Sequence, residues 1–252
     1  VLYEKIYQFR GGGNRLSSRS NGFTLAEVLV TLGIIGVVSA MTVPSLMQNH
    51  QRKTYVTQLH KVYNEIQQAS LKYMNDNNAI NLREAGLTSS AKMKTFLKDY
   101  FKVISDCDTY VKEPCFAASY KSLSGKSFQG GNWGESGSVL LSSGAGILLD
   151  RPSVYQITVG DVTSYYGHML IDINGPKGPN IGGRDLFFAE FYDDGSIDVY
   201  GATPECKSKG ICTGDASLTD IRNDLYDENC FSSSYGRGCF GKILNDNWQM
   251  TY

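Results

Sequence analysis

The chain has 252 residues, 24 basic against 25 acidic side chains, and 41% hydrophobic content. That length supports one globular domain with a real core and leaves room for a second. The near balance of charge gives no basic field for nucleic acid, while 16 Tyr and 27 Gly suit a β-rich region with many turns.

The sequence opens on Val1, so it begins at a non-standard start codon or is a fragment. Residues 1–22 are polar and basic: Lys5, Arg10, Arg15 and Arg19 stand against Glu4, around Gly11-Gly12-Gly13. Such a flank stays on the cytoplasmic side of a membrane and has little capacity to fold. Residues 23–46 are almost wholly apolar and long enough, as a helix, to cross a hydrocarbon layer of ~30 Å. Gly33 and Gly36 lie inside this run, where they permit close helix approach or simply follow the composition of membrane helices. Pro44 should kink or loosen the helix near its end. One carboxylate, Glu27, sits near its start.

The helical pattern continues beyond the apolar run. Tyr55, Val56, Leu59, Val62, Tyr63, Ile66, Ala69, Tyr73 and Met74 recur at steps of three and four among Gln, Lys, Asn and Glu. That is one apolar stripe on a helix with a wet face, ended by Asn75-Asp76-Asn77-Asn78. A single helix over 23–75 would be ~80 Å long at ~1.5 Å per residue. Its first half must therefore bury itself in something other than this chain's own core. A second amphipathic helix follows, capped by Ser89 or Ser90, with Met93, Phe96, Leu97, Tyr100, Phe101 and Ile104 as its buried face.

From about residue 115 the pattern turns to strands, read at Phe116–Tyr120, Val139–Leu141, Gly146–Leu149, Tyr155–Val159, His168–Ile173, Leu186–Tyr192 and Ile197–Tyr200. Asp194-Gly195 lies between two strand-like runs and predicts a hairpin turn. The Cys-, Gly- and Ser-rich tail after 201 reads as loops held by cross-links. Six Cys fall into three pairs close in sequence. None has the CxxC spacing of a zinc knuckle, and an even count in an exported protein favours disulfides. The local set is taken here, Cys107–Cys115, Cys206–Cys212 and Cys230–Cys239. Six reduced thiols are the alternative, expected if the domain stays in the cytoplasm.

The stretch NGFTLAEVLVTLGIIGVVSAMTVPSL, residues 21–46, resembles the N-terminal signature of type IV pilins and type II secretion pseudopilins. The resemblance is specific over these residues and extends over the rest as architecture alone. It implies that a prepilin peptidase cuts between Gly22 and Phe23 and methylates the new amine of Phe23. Glu27 then becomes the fifth mature residue, where the family keeps an acid, and Pro44 falls where many members have Pro. The implied organisation is a cleaved leader at 1–22, a transmembrane and filament-core half-helix at 23–46, and a periplasmic or extracellular head at 47–252. The implied fold is α+β, a long N-terminal helix packed on an antiparallel sheet with disulfide-rich C-terminal loops.

The physics of Glu27 agrees with that reading. A carboxylate in hydrocarbon costs about 2.5 kcal/mol or more at a helix centre and less near an interface. The freed Phe23 amine is a cation about 6 Å away along the helix axis. A neighbouring subunit displaced by a similar rise could set its own amine beside Glu27, and the cost of an unpaired buried charge then fixes subunit register. Two other readings of the segment are an ordinary signal anchor, which needs no Glu, and a secretory signal peptide cut after Val38-Ser39-Ala40, which would leave Met41 first.

A second unusual stretch is DINGPKGPNIGGRDLFFAEFYDDGSI, residues 172–197. Asp172, Asn174, Asn180, Asp185, Asp193 and Asp194 place many oxygens near tight turns, and Ca2+ takes six to eight such ligands. Some pseudopilins hold Ca2+ in a loop of their sheet domain, so Asp172, Asn174 and Asp185 are candidate ligands by resemblance. The EF-hand pattern fails at Pro176-Lys177. The other reading is a structural loop whose Asx side chains cap their own turns.

No G-x-S-x-G, P-loop or H-E-x-x-H occurs, and His50, His60 and His168 sit in no recognisable catalytic pattern, so no enzyme is expected. Two function classes remain. One is a major or minor structural subunit of a type IV pilus, type II secretion or related filament. Its partners would be the prepilin peptidase and sibling subunits, and it would sit in the bacterial inner membrane as a single-pass precursor before entering an extracytoplasmic filament. The other is a membrane-anchored extracytoplasmic ligand-binding module. Neither implies a cofactor beyond the Ca2+ reading, nor direct nucleic-acid binding.

Overall fold

A computed structural model describes residues 22–252. The basic flank, and all of the expected leader but Gly22, lie outside the described residues. The chain divides between Met47 and Gln48 into two units.

One helix, α1, runs Leu25–Asp76, within a residue or two of the expected rod. It continues unbroken through Pro44, whose missing N–H leaves the Ala40 carbonyl without its helical donor. From Gln48 onward the helix is amphipathic as expected, and Val56, Leu59, Val62, Ile66, Ala69 and Met74 are buried. Helix α2, Ser90–Tyr100, is capped by the Ser89 side chain, which accepts from the Lys92 amide. It ends before Ile104, expected on its buried face but exposed on the following strand.

The sheet is antiparallel throughout. Its strands are β1 Val103–Asp108, β4 Ser136–Leu141, β5 Gly146–Asp150, β6 Tyr155–Val159, β7 Val162–Asp172, β8 Leu186–Tyr192 and β9 Ile197–Asp198, in the order β1-β4-β5-β7-β8-β9. β7 is long enough to carry two partners along one edge. Its first half pairs with β6, from Val162 opposite Val159 to Tyr166 opposite Tyr155. Its second half pairs with β5, from Met169 opposite Leu149 to Asp172 opposite Gly146. A separate two-stranded piece joins β2 Tyr120–Lys121 to β3 Ser127–Phe128. The Asp194-Gly195 turn links β8 to β9 as expected, with Gly195 at φ 84.

Both faces of the sheet are covered along β8, which is why it is buried at every position rather than alternately, Glu190 included. On one face Met169, Ile171, Phe187, Ala189 and Phe191 meet Leu59, Val62 and Ile66 of α1. Fully buried side chains of this size contribute about 1.5–3 kcal/mol each. On the other face Leu148, Leu170, Leu186 and Phe188 meet Cys107, Val111, Cys115, Phe116 and Tyr120. The segment 116–119, expected as strand, is this cover, and strand begins only at Tyr120. A Cβ on Gly146 would stand 2.0 Å from the Cys115 carbonyl oxygen, so the covering loop needs glycine there.

The structure joins Cys107–Cys115, Cys206–Cys212 and Cys230–Cys239. The tail after 201 is not only loop. It holds α3 Pro204–Lys209, α4 Leu218–Leu225, a π-helical turn Tyr226–Cys230 and α5 Cys239–Asn245. Thr203 caps α3 with Pro204 at its first position, and Ser217 with Asp220 forms a capping box on α4. The buried Asp198 of β9 ties this tail to the sheet, accepting from Arg222 at 3.0 and 2.6 Å and facing Lys207 at 3.1 Å.

Candidate functional site

Residues 25–47 of α1 span about 34 Å at ~1.5 Å per residue, enough to cross a bilayer core. An 18-residue window of this helix is apolar enough to span a membrane, and none of it is buried. Phe23 is 88% exposed, and Leu29, Ile34, Ile35, Val38 and Met41 also face outward. A row of such side chains drives burial in lipid or against other apolar surfaces. Both threonine hydroxyls within the segment are satisfied by its own backbone. Thr31 donates to the Val28 carbonyl at 3.0 Å and Thr42 to the Val38 carbonyl at 2.9 Å, as a helix in an apolar medium requires. Added Cβ atoms on Gly33 and Gly36 would meet nothing within 4 Å, so both glycines face open space.

The start of the segment has its own geometry. Gly22 and Phe23 are exposed and non-helical, and α1 begins at Leu25. Thr24 and Glu27 form a capping box. Glu27 Oε2 accepts from the Thr24 amide at 2.7 Å and the Thr24 hydroxyl at 2.8 Å, and the Glu27 amide donates to Thr24 Oγ1 at 3.2 Å. Thr24 was not singled out in the sequence analysis, although its T-x-x-E spacing carries that signal. The bond between Gly22 and Phe23 thus lies just outside a pinned helix end, an accessible place for cleavage.

The loop after β7 brings Asp172, Asn174 and Asp185 together. Asp172 Oδ2 accepts from the Tyr120 hydroxyl at 2.5 Å, and its Oδ1 from the Asn174 amide at 3.2 Å. Asp185 accepts from the Ile181 amide at 2.6 Å and the Asn180 amide at 2.7 Å. Each of the four carboxylate oxygens thus accepts one hydrogen bond. Asn174 Nδ2 donates to the Gly178 carbonyl at 3.1 Å, while the side-chain oxygens of Asn174 and Asn180 are buried without a partner. Burial raises both carboxyls above the usual carboxylate range, Asp172 far above it. Among the described residues, no group of three or more His, Cys, Asp or Glu is arranged to hold a metal.

The histidines are dispersed. His50 and His60 lie on α1, where His60 stacks on Trp248 at 4.1 Å, and His168 lies within β7 rather than at its start.

A family model described as the prokaryotic N-terminal methylation motif matches residues 17–43. The chain therefore carries the prepilin-type signal of type IV pilins and pseudopilins, over the junction at Gly22 and all but the end of the exposed apolar segment. No curated protein and no solved structure matched the chain.

Proposed function

We propose that this protein is a structural subunit of a type IV pilus, a type II secretion pseudopilus or a related filament. The observation that carries the reading is a coincidence in position. The methylation motif at 17–43 falls on a half-helix that is apolar, exposed and unburied by its own chain. A prepilin peptidase cuts at Gly22–Phe23 and methylates Phe23. The half-helix holds the precursor in the inner membrane and then exchanges lipid for the flanks of sibling helices. Glu27 serves subunit register by pairing with a neighbour's freed amine, because a mispaired buried charge is costly.

The test is the N-terminal sequence and intact mass of the protein recovered from its native host. The expected chain begins at Phe23 and carries the added mass of one methyl group. A chain beginning at Met41, or retaining the residues before Phe23, overturns the reading.

A further inference from the structure

Strand alternation places Tyr166 and His168 of β7 and Phe188 and Glu190 of β8 on the sheet face away from α1, with His168 opposite Glu190. Between these strands and the segment 225–238 this face opens into a cavity of about 260 Å3. Tyr200, Asn229 and Arg237 stand at its rim, and Tyr155 lines an adjoining hollow that shares His168 and Arg237.

The chemistry of this cavity is not what a packed core asks for. Glu190 is only 3% exposed, and its side chain makes one hydrogen bond, Oε2 accepting from His168 Nδ1 at 2.7 Å. Its other oxygen has no protein donor among the described residues. Burial raises its carboxyl above the usual range, and the His168 bond opposes that rise. Arg237 lies over the Phe188 ring at 4.4 Å and, among the described residues, pairs with no carboxylate. Tyr200 is 49% exposed and Tyr155 41% exposed, each a flat ring held in place by an inner aromatic, Tyr166.

We propose that this cleft binds a pyranose sugar, its C–H face against Tyr200 and its hydroxyls between Glu190 and Arg237. The charges select the class. A cationic ligand meets Arg237 at the mouth, and an anionic ligand meets Glu190 at the floor. A zwitterion answers both but must bury two charges. A neutral polyol donates to the free Glu190 oxygen and accepts from Arg237 without burying any charge of its own. Its two-sided ring matches a site with flat apolar walls and few polar groups. The cavity is of the size of one such ring, so selectivity would come from which hydroxyls reach Glu190.

The test uses the full chain in phospholipid nanodiscs, free of sugar-headed detergent, with glucose, galactose and N-acetylglucosamine as probes and glycine and phenylalanine as zwitterionic controls. Saturation-transfer NMR should show one sugar's C–H face in contact. A Kd on the order of 1 mM is the range open to a ligand of about a dozen heavy atoms. Tyr200→Ala, on an exposed side chain, should weaken binding by about tenfold while Tyr200→Phe, which keeps the ring face, retains it. Thermal melting of both variants should match the parent. No saturable binding of any of the three sugars overturns the proposal. So does sugar binding that is indifferent to both Tyr200→Ala and Glu190→Gln, or binding of the zwitterions in place of the sugars.

Discussion

Glu27 and Thr24 hold each other: the carboxylate takes both the amide and the hydroxyl of Thr24, and the Glu27 amide returns a bond to that hydroxyl. The acid at the head of the apolar run therefore has work within its own chain before any neighbour arrives. Helix capping and intersubunit pairing call on the same side chain, and substitutions can separate them.

Glu27→Gln keeps a side chain that can complete the box but removes the charge. Helix start and cleavage after Gly22 should survive, while incorporation into filaments should fall on the order of tenfold or more. An unpaired buried charge costs several kcal/mol, and about 1.4 kcal/mol is already tenfold. Thr24→Val should do the converse, loosening the first turn by about 1 kcal/mol while leaving the charge available. Amide exchange at Ala26 and Glu27, beside the sedimentable fraction of processed protein, reads both effects. Normal filaments from Glu27→Gln would remove the register role.

The break between Met47 and Gln48 predicts that residues 48–252 fold without the apolar half-helix. No side chain of residues 25–47 is buried, and the core of the head draws on α1 from Tyr55 onward. The truncated protein should sediment as a soluble monomer and unfold in one cooperative step. Aggregation of that fragment would mean that the two halves fold as one.

The loop at 172–185 predicts indifference to calcium. Its carboxylate oxygens already receive Tyr120, Asn174, Asn180 and Ile181, so Ca2+ against chelator should leave the melting midpoint of the full chain unmoved. Asp185→Ala should be destabilising, because it orphans two amides that are worth about 1–3 kcal/mol each when left unpaired. A rise in midpoint with Ca2+, lost in Asp185→Ala, would replace this reading with a metal site.

Much of this architecture was legible in the sequence because its signals are long. The stripe from Tyr55 to Met74 and the runs that became β6 and β8 each override local ambiguity. The misreadings fall where the signal is short or tertiary. Ile104 continues the helical spacing of α2, yet Phe101 turns the chain into strand, and only the pairing of β1 with β4 decides it. Phe116–Tyr120 looks like strand because its ends are apolar, but Phe116 and Ala117 are buried as a cover over β5 and Ala118 and Ser119 are exposed, a fact that resides in Gly146 rather than in the segment itself. The small helices after Thr203 hide behind cysteines and glycines, although Thr203-Pro204 and Ser217-x-x-Asp220 mark their starts. Thr24 was missed because Glu27 was read for its charge alone. The cleft at Glu190 was not visible at all, since it needs the register of β7 against β8 and the return of Arg237 from far along the chain.

The buried carboxylates set the pH response of the head. Burial pushes Asp150 up to about 6, with His168 opposing, and pushes Asp193 up to about 6 as well. Asp172, Asp185 and Glu190 are raised too, again by burial. A carboxyl raised in the fold binds its proton more tightly there than in the unfolded chain. It therefore contributes stability that is full below the unfolded value, near 3.8 for Asp, and lost as pH rises through the folded value. The opposing groups, Asp76, Asp106 and Asp220, are lowered by hydrogen bonds from Lys72, Lys98 and Ser217 respectively. Their contribution is present above the unfolded value and disappears only as pH falls below it, so it does not change between about pH 5 and about pH 7. Over that window the raised set acts alone, and the melting midpoint should fall as pH rises. Asp150→Asn, which cannot ionise, should flatten the slope. A midpoint that climbs from about pH 5 to about pH 7 in the parent chain, or a slope untouched by Asp150→Asn, would show that these carboxyls are not held protonated by burial.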